Sequence, residues 1–374
     1  MNAQLREDLA AGGATLVEEA QGGCRVTPPS IASLGRAVAV VRAWKLHLFV
    51  RGSGDAPVHA PPGGVLLDVG SLDRIASVDG ATGIARVEAG CSVAALEIAA
   101  RRAGCTLGPL LPSVRSGSVG AWLAGPTRGE RGIHGARRET AALSVAAVLA
   151  DGRIAESRAA PRSATGPDLD HLALGGSGRL CVVAAAWIRL FPVAPALAGA
   201  WTCADFATAI AALERLCHER IAPARARVLA GSDGTRLALA WEGLETAAME
   251  RDRATRILAT LGCAAQADSG ANQWVREASG GHPVEVDARW ASLRGWSQLG
   301  EVQLFGLHAG GAFGVLALPE AGGAEECAAL ARAAGARVIA PRRMRDAGPG
   351  WDAMGAGAVW RRLVEALGVE ESAP

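Results

Sequence analysis

Three times between residues 51 and 178 an apolar stretch runs into a cluster of glycine and serine. The clusters are Arg51-Gly52-Ser53-Gly54-Asp55, Pro112–Gly135 and Gly175-Gly176-Ser177-Gly178. Glycine has no Cβ, so other groups can approach its backbone closely. Successive N–H groups in such turns form a concavity that attracts anions. The central stretch, PSVRSGSVGAWLAGPTRGERGIHG, holds six glycines. Small residues recur at Ser116, Gly117, Ser118 and Gly120. Val119–Ala124 then reads as a short helix, which puts the turn at a helix N-terminus, where the dipole favours phosphate. Any one of these turns reads equally well as a surface loop. Three of them, each beside a strand, are explained by one ligand with several phosphate and ring contacts.

Composition narrows the function. A length of 374 residues points to two domains. A formal charge of +1 offers no electrostatic footprint for nucleic acid. The chain has no tyrosine, which excludes a tyrosine acid or base, and Lys45 is its sole lysine. The polar, acid-bearing start MNAQLREDLAAGG does not read as a signal peptide. The apolar run Ala141–Ala150 is too short to span a bilayer. The eight cysteines are scattered without a CxxC, so they signal neither zinc nor an iron–sulfur cluster, and no metal site is expected. Most read as small packing residues. These features lead us to expect a cytoplasmic protein.

In chain order, Cys24–Pro28 reads as a strand. Ser30 is a helix N-cap, and Ile31, Leu34, Ala37, Val38, Val41 and Trp44 recur at helical spacing. Leu46–Val50 and Val65–Val69 are strands, Leu72–Ile75 a helical turn, Ile84–Glu88 a strand and Val93–Ala103 a helix closed by Gly104. Ala141–Leu149 enters a hairpin at Asp151-Gly152. The apolar run Leu180–Leu190 precedes the linker Phe191–Pro195. Beyond it, Leu197–Cys203, Ala224–Leu229, Arg236–Trp241, Leu304–Leu307 and Gly314–Leu318 read as strands. Ala204–Glu219, Thr246–Leu261, Glu325–Ala334 and Ala358–Leu367 read as helices.

This ordered series resembles the flavin-binding domain of the vanillyl-alcohol oxidase superfamily, the PCMH-type FAD domain. The matching segments are RGSGD, LLDVGSLDRI, VEAGCSVAALE, PSVRSGSVGAWLAGP, VLADGRI, RSATGPDLDHLALGGSG and VVAAAWIRLFP. Thr165-Gly166-Pro167-Asp168-Leu169, with the later Ile221-Ala222-Pro223 and Arg227, is similar to the alkyldihydroxyacetonephosphate synthases. Leu123–Pro126 and the C-terminal half are similar to the FAD-binding subunit of glycolate oxidase. The resemblance implies an α+β fold: a peripheral N-terminal extension (1–23), a two-subdomain PCMH-type FAD-binding domain (24–192), and a smaller α+β cap domain with a C-terminal helix (193–374).

The resemblance also implies a non-covalent FAD site. Arg51, Gly52, Ser53, Gly54 and Asp55 would hold the pyrophosphate through backbone N–H groups. Pro112, Ser113, Ser118 and Gly120 would hold pyrophosphate and ribityl, and Gly125 and Arg128 would continue that wall. Gly135 would lie by the ring edge, and the backbone of Val182 and Val183 would meet the adenine end. In the cap, Arg227 would face the ring and pair with an anionic substrate, and His308 would act as a base. The physical logic agrees, since two phosphate charges are better met by many N–H dipoles than by a lone lysine.

Some positions depart from the family pattern. Ser177 stands for a glutamate, Cys181 for a glycine and His134 for a tyrosine, and a C-terminal Asn-Pro-Gly-Arg is missing. Cys181 would set a sulfur where adenine lies. The leading expectation is a FAD-dependent oxidoreductase of the type found in the FAD-binding subunit of glycolate oxidase. It would oxidise a small 2-hydroxy acid or related alcohol by hydride transfer to flavin N5. Two other readings stay open: a degenerate flavin-binding protein working within a larger oxidase complex, and a non-enzymatic scaffold retaining the fold.

Overall fold

The computed structural model describes residues 3–19, 22–52, 60, 62–108, 110, 112–125, 138–160, 170–176, 178, 180–221, 223–231, 234–242, 246–267, 270–271, 284–296, 301–308, 310–317 and 324–338. The expected helix Ala358–Leu367 lies outside them.

A four-stranded sheet comes first, in the order β1 (Thr15–Glu18), β2 (Cys24–Thr27), β4 (Val65–Asp68), β3 (Leu48–Arg51). Strands β2 and β3 both run parallel to β4, and β1 closes the edge antiparallel to β2. Helix α1 spans Ala3–Ala11 and α2 spans Ile31–Ala43. The Ser30 hydroxyl caps α2 by accepting from Ser33 N (3.1 Å). The apolar stripe Leu34, Val38 and Val41 packs on Val26, Val65 and Leu67.

Residues 1–23 are not peripheral. Leu5 and Leu9 of α1 are buried in this same core. Trp44 Nε1 donates to Asp8 Oδ2 (3.0 Å), and the Ser33 hydroxyl donates to the Gly12 carbonyl (2.7 Å). Helix α1 shows little amphipathic pattern of its own, so its anchors are tertiary contacts that spacing does not reveal.

The second sheet is antiparallel, in the order β5 (Ile75–Asp79), β6 (Ile84–Glu88), β10 (Val182–Arg189), β8 (Ala142–Val148), β9 (Ile154–Glu156). Strand β10 is buried on both faces. Val182 and Ala184 enter the first core, while Val183, Ala186 and Ile188 enter a second core with Val87, Leu96, Val119 and Val145. That explains the apolar run Leu180–Leu190, which Arg189 alone interrupts. The helical turn expected at Leu72–Ile75 is displaced. A 3-10 turn occupies Val69–Ser71, and Ile75 opens β5 by pairing with Val87. Helices α3 (Val93–Arg102), α4 (Pro112–Arg115), α5 (Val119–Ala124), α6 (Arg138–Ala141) and α7 (Asp170–Ala173) complete this half. The expected linker begins instead with pairing of β11 (Phe191–Pro192) to β7 (Cys105–Thr106).

An eight-stranded sheet follows. Its order is β15 (Ala264–Ala265), β12 (Ala196–Cys203), β14 (Gly234–Glu242), β13 (Arg225–Gly231), β17 (Glu301–His308), β18 (Gly311–Ala317), β16 (Val284–Arg289), β19 (Arg337–Val338). On one face Val228, Leu237, Leu239, Val302 and Leu304 share a core with Phe206, Ile210 and Leu213 of α8 (Phe206–His218). Helices α9 (Thr246–Thr260), α10 (Trp290–Arg294) and α11 (Ala324–Ala333) add to it. Sequence reasoning missed strand β16, VEVDAR, although apolar and polar residues alternate along it. Val284, Val286 and Ala288 enter the core. Among the described residues no helix is long and apolar enough to cross a membrane.

Leu9→Ala tests whether the N-terminal segment is integral. The exchange should destabilise the protein by about 2–4 kcal/mol, the usual cost of deleting a buried leucine side chain, measured by denaturant unfolding. An unchanged midpoint would return residues 1–23 to the periphery.

Candidate functional site

The three glycine turns converge where β3 ends. A Cβ placed on Gly52 would fall onto the Ser118 hydroxyl. Gly178, at φ +73, lies against Val50, where a Cβ would stand 3.2 Å from Cγ2. Gly175 N–H donates to the Leu123 carbonyl (2.9 Å), which ties the third turn to α5. Segments separated by more than a hundred residues therefore share one small region, as the ligand reading requires.

Ser118 is fully buried and caps α5 by accepting from Ala121 N (3.2 Å). Its backbone forms a bridge with Ser92, where Val93 N donates to Gly117 O (3.0 Å) and Val119 N to Cys91 O (2.9 Å). Gly120 N donates to Ala89 O (2.7 Å). These bonds correct one expectation. The first N–H groups of α5 are consumed inside the protein and do not form the anion cradle. Gly120 is a packing glycine instead, since a Cβ there would stand 2.9 Å from Ala89 Cβ and 3.0 Å from its carbonyl. Gly125 N–H likewise closes α5 onto Ala121 O (2.8 Å). Towards the turn, Ser113 and Ser116 are exposed and Gly117 is half-buried. The Ser116 hydroxyl donates to Ser113 O (3.2 Å), and Pro112 opens α4.

Arg51 is half-buried at the end of β3, opposite Asp68 of β4. Val182 and Val183 pair with Val148 and Ala147, just before a register shift in β10. Cys181 precedes them. Its side chain belongs to the apolar cluster with Val183 and Ala147. Burial, with the Asp170 charge, pushes its thiol up to about 11. Ser53, Gly54, Asp55, Arg128 and Gly135 lie outside the described residues, as do Ser177 and His134.

In the eight-stranded sheet Arg227 is buried, and its Nε donates to Glu301. Gln303, opposite Arg227 in β17, is buried too. By strand alternation all three lie on the face away from the helices, the face that also carries the buried alanines Ala198, Ala200, Ala238 and Ala240. Sequence reasoning missed Glu301 and Gln303. Their signal was a strand, EVQLFGL, whose polar residues alternate with core residues. His308 ends β17 opposite Gly311. Its backbone lies five positions beyond Gln303, about 16 Å along a strand.

The fold and the turns agree with comparison to known proteins. Residues 23–158 match the FAD binding domain family. Across 92% of this chain and 74% of the other, the fold is that of a solved alkyldihydroxyacetonephosphate synthase, with a TM-score of 0.68 and 15% identity. In sequence the chain is 28% identical over 173 residues to an uncharacterized FAD-linked oxidoreductase, YgcU, of Escherichia coli, covering 46% of this chain and 36% of that protein. It is 29% identical over 171 residues to the D-lactate dehydrogenase of Archaeoglobus fulgidus, covering 45% and 38%. The chain thus spans little more than a third of these curated relatives.

The residues present fit FAD. At Gly52 the missing Cβ keeps the end of β3 against Ser118. Gly52, Ser118 and Gly178 are neutral and small, so a pyrophosphate beside them would meet dipoles.

Two exchanges separate packing from binding. Gly52→Ala should lower flavin content on purification, and removal of the hydroxyl in Gly52→Ala/Ser118→Ala should restore part of it. Gly120→Val should instead destabilise the whole fold by about 2–3 kcal/mol, an overpacking cost, seen in thermal unfolding of flavin-free protein. Flavin loss in Gly120→Val with unaltered stability would return Gly120 to the cradle.

Proposed function

We propose that this protein is a FAD-dependent oxidoreductase that oxidises a small 2-hydroxy acid or related alcohol. The observation that carries the reading is the convergence of Gly52, Ser118 and Gly178 within a FAD binding domain, together with a buried arginine in the eight-stranded sheet. Similarity to a D-lactate dehydrogenase supports the substrate class. When bound, the flavin supplies the hydride acceptor.

The roles of the chain's own residues follow from their chemistry. Arg51–Asp55 and Ser113–Ser118 hold the pyrophosphate through backbone N–H and hydroxyl donors. The alanine face of β12 and β14 packs only small side chains, Ala271 among them. Arg227 orients the substrate carboxylate, for which a planar guanidinium is suited. Glu301 holds Arg227 in place and offsets the cost of burying its charge. That pairing leaves the locality near neutral, which is why the class extends to neutral alcohols. His308, at the end of β17, is the candidate base for the hydroxyl proton.

The reading is tested by mixing flavin-loaded protein anaerobically with a panel of 2-hydroxy acids and neutral alcohols. At least one should bleach the visible flavin absorbance. Arg227→Ala should slow that bleaching about 100-fold, or roughly 2.7 kcal/mol of transition-state stabilisation, at unchanged flavin content. If no member of the panel reduces the flavin, the substrate class is wrong. Equal rates in parent and variant would remove Arg227 from the site.

A further inference from the structure

The β12–β15 ladder sets Trp201 opposite Ala265 and Thr202 opposite Ala264. Continued by one residue, the same register sets Cys203 opposite Cys263. Their sulfurs lie 2.7 Å apart, with both side chains buried. That is closer than two unbonded sulfurs pack, and no other group lies between them. We propose that Cys203 and Cys263 are a disulfide-forming pair, closed by exchange with a low-molecular-weight disulfide such as oxidised glutathione. Nothing in the flavin reading depends on this, and nothing in it depends on the flavin.

The surroundings assign the order of events. The Cys203 thiol donates its hydrogen bond to Cys263. That bond pulls the Cys263 thiol down, while the same bond and burial push Cys203 up. Cys263 is therefore the better nucleophile. It is also the nearer to solvent. It directly precedes β15, a two-residue edge strand whose Ala264 and Ala265 are exposed, and it follows exposed Leu261 and Gly262. Opening this short edge uncovers Cys263 without disturbing the core strands.

The exchange balances in two steps. The Cys263 thiolate attacks one sulfur of the oxidant and displaces a glutathione thiolate, leaving a mixed disulfide. Cys203 then loses its proton and attacks Cys263 Sγ, breaking the mixed bond and releasing the second glutathione. Two protein thiols are oxidised, and one disulfide is reduced to two thiols. Other cysteines are placed differently. Burial pushes Cys91 and Cys181 up to about 11 and Cys217 up to about 12. Cys24, Cys91, Cys105 and Cys327 point their thiols at backbone carbonyls.

The closed bond would join residues 60 positions apart and clamp the end of α9 and the edge strand to β12. The test equilibrates the purified protein in glutathione buffers from reducing to oxidising. Each sample is then quenched in acid, alkylated in denaturant and mapped without reduction. In the oxidising buffers two of the eight thiols should be lost, and one peptide pair should appear joined at 203 and 263. Cys203→Ser should stop the reaction halfway, with glutathione carried on Cys263, and Cys263→Ser should leave Cys203 free. Eight alkylatable thiols in every buffer would overturn the proposal. So would glutathione on the parent's Cys263 with no cross-link, or a cross-link between any other two cysteines.

Discussion

Ser118 sits where three chain segments come too close for any side chain between them. Its backbone bridges Ser92, its hydroxyl caps α5, and that hydroxyl occupies the space a Cβ on Gly52 would take. Two residues on, Gly120 seats α5 against Ala89 with its N–H on the Ala89 carbonyl. Ala89 N–H in turn reaches the Ala184 carbonyl of β10, the strand shared by both N-terminal cores. Through these contacts the end of β3 at Gly52 is held in one place relative to both sheets.

Much of this is legible in the chain. Strongly patterned elements such as α2, α3 and α8, with Ser or Asp caps and apolar residues at helical spacing, fall where their sequence pattern puts them, as does the Asp151-Gly152 hairpin. The glycine turns are legible as turns, and their order points to FAD. What spacing does not reveal is which glycine serves which purpose. Gly52 and Gly120 look alike in sequence, yet one faces a serine hydroxyl beside the candidate site and the other a core alanine. The two-residue strand β15 exists by virtue of its neighbour β12 and leaves no period to read. Helix α1 carries its two anchoring leucines without an amphipathic stripe, and only the first core reveals why they matter.

The second half shows the same division. Arg227 stands out in its strand, whereas Glu301 does not, because an acid beginning a strand looks like a solvated end. Burial makes the pair interdependent. Either charge alone would be costly in that place, and together they form a fixed dipole on an otherwise alanine-lined face. That face contrasts with the helix-covered one, where Trp201 and Trp241 meet edge to face at 6.2 Å. One side of the sheet packs large residues, and the other packs small ones, with Ala271 among the alanines and the Arg227–Glu301 pair as a polar point.

The central claim is that the converging turns hold FAD without a covalent link. It is tested most directly by the visible spectrum of the purified protein, together with identification of whatever acid releases from it. The account predicts a yellow protein from which acid precipitation frees intact FAD in an amount equimolar with the chain, leaving a colourless pellet. A colourless protein that takes up no added FAD would contradict it, and so would a flavin that stays with the precipitated chain.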